Sequence, residues 1–169
     1  MFELKRLHPE AIPAALEKAR HYRLLNESME AQSICLDILE VEPDNEKALV
    51  LLVLASTDRF DDGQEHLSQA LPQARAALGK LSAPYDRAYY GGIIQERHAK
   101  ARLRLSGMGS GAVVHELLRD AMASFEAAAG LAEAGNDDAI LRWNTCARLL
   151  SSRADLKPGP RHAPPAMLE

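Results

Sequence analysis

An all-α fold is what this chain of 169 residues predicts, and three observations carry the expectation. Apolar residues recur at three- and four-residue steps in one segment after another, the period of a helix with one face toward a core. Proline, glycine and asparagine fall mostly between those segments. No stretch alternates as a strand does, and aromatics make up only 5% of residues, so alanine and leucine supply the apolar mass that closely packed helices use. The length suits one domain or a short array of repeats, enough to bury about two-thirds of the unfolded surface without staples.

The elements follow in order. Pro9 and Pro13 suit a helix start, where a missing N–H costs nothing, and Ala14, Leu16, Ala19, Tyr22 and Leu25 continue at helical spacing to a stop at Asn26. Ser28 is positioned to cap a second helix carrying Ala31, Ile34, Cys35, Ile38 and Leu39, which Pro43-Asp44-Asn45 ends. Asn45 or Asp44 caps a third helix through the apolar run 48–55 to about Thr57. Phe60-Asp61-Asp62-Gly63 is a turn into a fourth helix over 64–78, with Pro72 set to kink it or shift its start. Pro84 opens a fifth helix reaching about Leu105, inside which Gly91 and Gly92 are expected to admit a close neighbour. The glycine-rich stretch 106–111 is a flexible connection; no GKS or GKT follows it to make a phosphate loop. A sixth helix covers about 112–134, and Gly135-Asn136-Asp137 stops it and caps a seventh over 138–152 carrying Ile140, Leu141, Trp143, Leu149 and Leu150. The organisation expected is a lead-in over 1–10, a helical domain over 11–154 and a disordered proline-rich tail over 155–169.

Charge narrows the class of partner. The formal net charge is −4, which argues against a general nucleic-acid binder. Residues 61–110 reverse the sign, seven bases against five acids, with Arg97, Lys100, Arg102 and Arg104 crowded together. Cys35 and Cys146 fit no CxxC pattern and read as buried free thiols of a reducing compartment. No run approaches the ~18 apolar residues of a membrane helix, and the opening MFELKRLHPE has no signal-peptide core. A cytoplasmic location and no membrane partner are the expectation.

Repeats appear within the helices. Ala31, Cys35, Ile38 and Pro43 stand at offsets of four, seven and twelve; Ala70, Ala74 and Ala77, then Ala121, Phe125 and Ala128, repeat the first two. This resembles the tetratricopeptide repeat family, most clearly over 19–45, where Glu30-Ala31, the apolar stripe and Pro43-Asp44-Asn45 follow the family's second helix and its closing turn. The alanine intervals of 39 and 51 residues exceed the family's repeat, and Lys18 stands where an apolar residue is usual.

The resemblance implies an α-solenoid of about three antiparallel helix pairs plus a C-terminal capping helix, acting as a non-catalytic adaptor. It implies a concave groove lined by first helices, holding a partner's peptide or helix. Carried onto this sequence, that face includes Leu16, Arg20, Arg23 and Leu24, then Lys47, Val50, Leu54 and Asp58, with Tyr89, Tyr90, Arg97 and Lys100 as candidates in the third pair. The family's clamp for chaperone C-termini is absent as a pattern, since Leu16, Arg20 and Leu51 stand at its positions. Should Arg20 and Arg23 share a concavity with 97–104, the groove prefers an acidic segment.

Catalysis finds no pattern. The histidines at 8, 21, 66, 98, 115 and 162 form no HExxH or His-x₃-His pair, so no metal or cofactor is expected. Asp137-Asp138 and Asp61-Asp62-Gly63 read as a cap and a turn, and no GxSxG occurs. A self-associating protein, a homodimer through exposed apolar faces, is the alternative from another class, and a small-molecule-binding or enzymatic helical protein is the third.

Overall fold

The computed structural model describes residues 2–105 and 111–159. Among them it holds seven α-helices and two short 3-10 helices, and no strand: α1 (Ile12–Leu24), α2 (Ser28–Val41), α3 (Glu46–Asp58), α4 (Gln64–Lys80), α5 (Pro84–Leu105), α6 (Gly111–Leu131) and α7 (Asp138–Ser152). The 3-10 turns Pro9–Ala11 and Arg59–Asp62 lead into α1 and α4, the second where a turn over 60–63 is expected. Successive helices pack on each other throughout, and α1 also touches α3, as α3 touches α5. The fold is all-α. The segment 106–110 and the tail residues 160–169, expected to be flexible and disordered, lie outside the described residues.

Local chemistry explains most boundaries. Asn45 Oδ1 accepts from the Ala48 N–H at 3.0 Å, capping α3. Asn26 adopts φ 61, the left-handed region that asparagine tolerates, and this turns the chain between α1 and α2. Gly63, at φ 121, occupies a backbone region closed to side chains and sets the entry into α4.

Several expectations are corrected. Ser28 is the first helical residue, not the cap; Glu27 precedes α2 and makes no side-chain capping bond. Asp137 makes none either, and Asn136 Oδ1 accepts from the Asp138 N–H at 3.2 Å instead. Helix α4 runs through Pro72 without stopping, because burial of Leu67, Ala70, Ala74 and Ala77 along one face outweighs one missing backbone bond. Ile140 and Leu141, expected in the core, are 46% and 61% exposed; α7 packs instead through Ala139, Cys146 and half-buried Trp143. The proline-rich tail begins inside the fold, with Leu156 5% exposed in the second core cluster.

The interior divides into two clusters. One joins α1–α4 and one side of α5, around Cys35, Ile38, Leu49, Val53, Phe60, Leu67 and Ile94, and the other joins the rest of α5 to α6 and α7, around Ile93, Val114, Leu118, Phe125 and Cys146. Tyr90 and Leu54 stand where the two meet. Gly92 makes the α5–α6 contact: a Cβ there would lie 2.5 Å from Phe125 Cε1, so only glycine admits the ring.

Candidate functional site

Because α1 touches α3 and α3 touches α5, residues one and two turns apart on these helices converge on one side of the molecule. Two adjoining hollows lie there. One, of about 510 Å³, is lined by Arg20, Arg23, Leu24, Lys47, Val50, Leu54 and Tyr90, with Glu46, Leu51 and Asp86. The other, of about 470 Å³, is lined by Arg23, Leu24, Asp58, Arg97, Lys100, Arg104 and Arg142, among others. Arg23 and Leu24 belong to both, so the hollows form one continuous trough. Leu24 is 82% exposed on the ridge between them.

Ten of the twelve residues expected on the groove face therefore line this trough. Two do not. Leu16 is only 7% exposed and contributes instead to a third hollow of about 520 Å³, between α1 and the α2–α3 turn, shared with Arg20 and Lys47. Tyr89 turns away into the second cluster, stacked on Tyr85 at 5.7 Å and tilted against Phe125 at 5.9 Å. Tyr89 and Tyr90 are separated by about 100° around the helix, and the Phe125 packing determines which goes inward. The Tyr90 hydroxyl is pushed up to about 12 by burial, with Asp86 adding to the shift, so it stays a neutral donor.

Two carboxylates organise the basic hollow. Asp58 accepts from Arg23 Nε at 2.6 Å and also from Arg97, whose Nη1 donates as well to Thr57 Oγ1 at 2.7 Å. Glu96, with no exposed surface, pairs with Lys100 one turn on and with Arg142 of α7 at 3.3 Å. Arg104 pairs with Asp61 at 2.8 Å on the rim. Arg102, counted in the same strip of the sequence, lies outside the hollow's lining. Arg142 is the residue that sequence reasoning missed. It stands 46 positions from Glu96, and no spacing rule reaches across two helices.

Neither cysteine lines the trough. Burial pushes the Cys35 and Cys146 thiols up to about 12, which keeps both protonated. His98 lies edge-on to Phe60 at 6.5 Å; desolvation, then Arg102 and Arg75, hold its pKa below the usual value. No group of three or more metal-ligating side chains occurs among the described residues, and no helix among them is long and apolar enough to cross a membrane. No family model, curated protein or solved structure matches the chain.

Proposed function

We propose that the chain is a non-catalytic interaction module that receives a segment of another protein in the trough across α1, α3 and α5. Convergence of ten of the twelve expected groove residues onto one continuous surface is the observation that carries this reading. The contacts of α1 with α3 and of α3 with α5 support a tetratricopeptide-like stack of helix pairs, with α7 as its terminal helix. Leu24, Val50, Leu54 and Tyr90 supply an apolar strip, and Arg20, Arg23 and Lys47 border it. An amphipathic or acidic segment fits such a surface. The second reading is self-association, favoured by Leu24, Leu25 and Met29, three large apolar side chains more than half exposed at the α1–α2 corner.

Site-specific photocrosslinking tests the first reading. A photoreactive residue replaces Leu24 or Val50, and Glu126 on the outer face of α6 serves as control, in lysate of the native host. One and the same protein crosslinked from positions 24 and 50, and not from 126, supports the trough. Crosslinks to the same proteins from all three positions, or from 126 alone, exclude it. Light scattering at high micromolar concentration addresses the second reading, which a strict monomer eliminates.

A further inference from the structure

We propose that the hollow among α1, α3, α5 and α7 is a seat for a compact dianion of the phosphate-monoester type. Its place in the trough rests on the reading above; the site itself rests on charge and on unspent donors. Arg23, Arg97, Lys100, Arg104 and Arg142 face it, brought there by three helices. Asp58, Asp61 and Glu96 are the carboxylates that hold them. Five cations against three carboxylates leave two positive charges uncompensated within about 470 Å³. Glu96 is sealed beneath the surface, so an incoming group meets the cations and only Asp58 and Asp61.

The arginine forks are also only partly used. Among the described residues, every bond of Arg97 leaves from Nη1, to Leu54 O, Thr57 and Asp58. Arg142 likewise spends Nη1 alone on Glu96, and Arg104 pairs with Asp61 through Nη1. Among the described residues, the Nε and Nη2 donors of these three guanidiniums have no partner, and a ligand can take them. The anchoring carboxylates fix the arginine stems, so a ligand finds donors already positioned rather than ordering them itself. A phosphate monoester brings a charge of about −1.5 to −2 and three acceptor oxygens, matching both the surplus and the forks, where a single carboxylate matches neither.

Two sources carry that chemistry: a phosphorylated side chain on a segment lying in the trough, or a small phosphate ester in solution. Titration calorimetry on the full chain at pH 8 and constant ionic strength, with inorganic phosphate and then acetate as probes, tests the seat. Saturable phosphate binding with no acetate signal is expected. Arg104→Gln sits on the rim, and Arg142→Gln removes the α7 fork; each should weaken phosphate about tenfold, the loss of one charge-assisted bond. Arg119→Gln, exposed on α6 and outside the hollows described, should leave it unchanged. Circular dichroism confirms that the variants are folded, and the rim variant stands as the test should Arg142→Gln unfold. Phosphate binding no stronger than acetate, or binding unaffected by either folded variant, overturns the proposal.

A phosphoserine peptide at least about tenfold tighter than free phosphoserine identifies a phosphorylated segment as the source, and equal affinities identify a small ester. The titrations need no partner. A failed phosphate titration therefore leaves the crosslinking result standing, and failed crosslinking leaves the seat standing.

Discussion

Glu96 has no exposed surface, while its partners Lys100 and Arg142 are about a third exposed, at 30% and 35%. The carboxylate, not its cations, is therefore the charge that depends on the fold. Glu96→Gln leaves two cations that water still reaches and should cost about 1 kcal/mol. Lys100→Met/Arg142→Met strands a buried carboxylate and should cost about 3 kcal/mol, the lower end for a broken buried pair. Urea denaturation checks the order, which reverses what exposure alone suggests. His98 supplies a pH dependence. Its folded pKa lies below the unfolded value, so above about pH 6.5 both states are neutral there and it has no effect. As pH falls below that value the unfolded chain takes up the proton first, and stability declines until the folded pKa is passed. The urea midpoint should drop between pH 7.5 and 5.5 more in wild type than in His98→Gln. The two thiols give a direct reading of burial. With pKa values near 12 against an ordinary 9.0, each holds about a thousandfold less thiolate at pH 8. Ellman's reagent should leave both unmodified in the native protein and titrate both in guanidinium.

At the scale of elements, the adjacent glycines of α5 have opposite meanings. A methyl group on Gly92 would meet Phe125 Cδ1 at 2.7 Å and Cε1 at 2.5 Å, forcing α5 and α6 apart. Gly92→Ala should cost about 1–3 kcal/mol by overpacking. On Gly91 the same methyl meets only Leu78 Cδ2, at an ordinary 3.6 Å. Gly91→Ala should be neutral or stabilise by up to about 1 kcal/mol through helix propensity. Thermal denaturation of the two variants checks the contrast, and equal effects would show that the α5–α6 contact does not depend on Gly92. The pair reads identically in sequence. Only the direction of approach of α6 separates them.

Across the whole molecule, an acidic chain turns a basic trough outward. Net charge is −4, yet the hollow bordered by α5 and α7 carries a positive surplus. Such a field acts mainly on association rate and partner choice, and at ~0.15 M salt it is screened over roughly 8 Å. Affinity for a partner captured at position 24 should fall as salt rises, and Arg20→Glu/Lys47→Glu should weaken binding and flatten that salt slope. Salt-independent binding, unchanged by the double reversal, would place recognition elsewhere. Arg23 is unsuited to this test, since reversing it sets a second carboxyl group against Asp58 and disturbs the fold.

The sequence by itself determined the helices, because the signals that start and stop them are local: Asn45 caps within three residues, Asn26 turns in place, and apolar spacing marks each buried face. What the tetratricopeptide resemblance implies put Arg20, Arg23, Val50 and Leu54 on one face, and these four line one hollow. Local signals failed where a neighbour decided the outcome. Ile140 stayed outside the core, and Tyr89 rather than Tyr90 turned toward Phe125. Arg142 reached Glu96 only because α7 folds back along α6, which itself packs on α5, and that meeting completes the charged hollow. Which charges face each other depends on how helices stack, and stacking is fixed by burial summed over many side chains rather than by any short run of them.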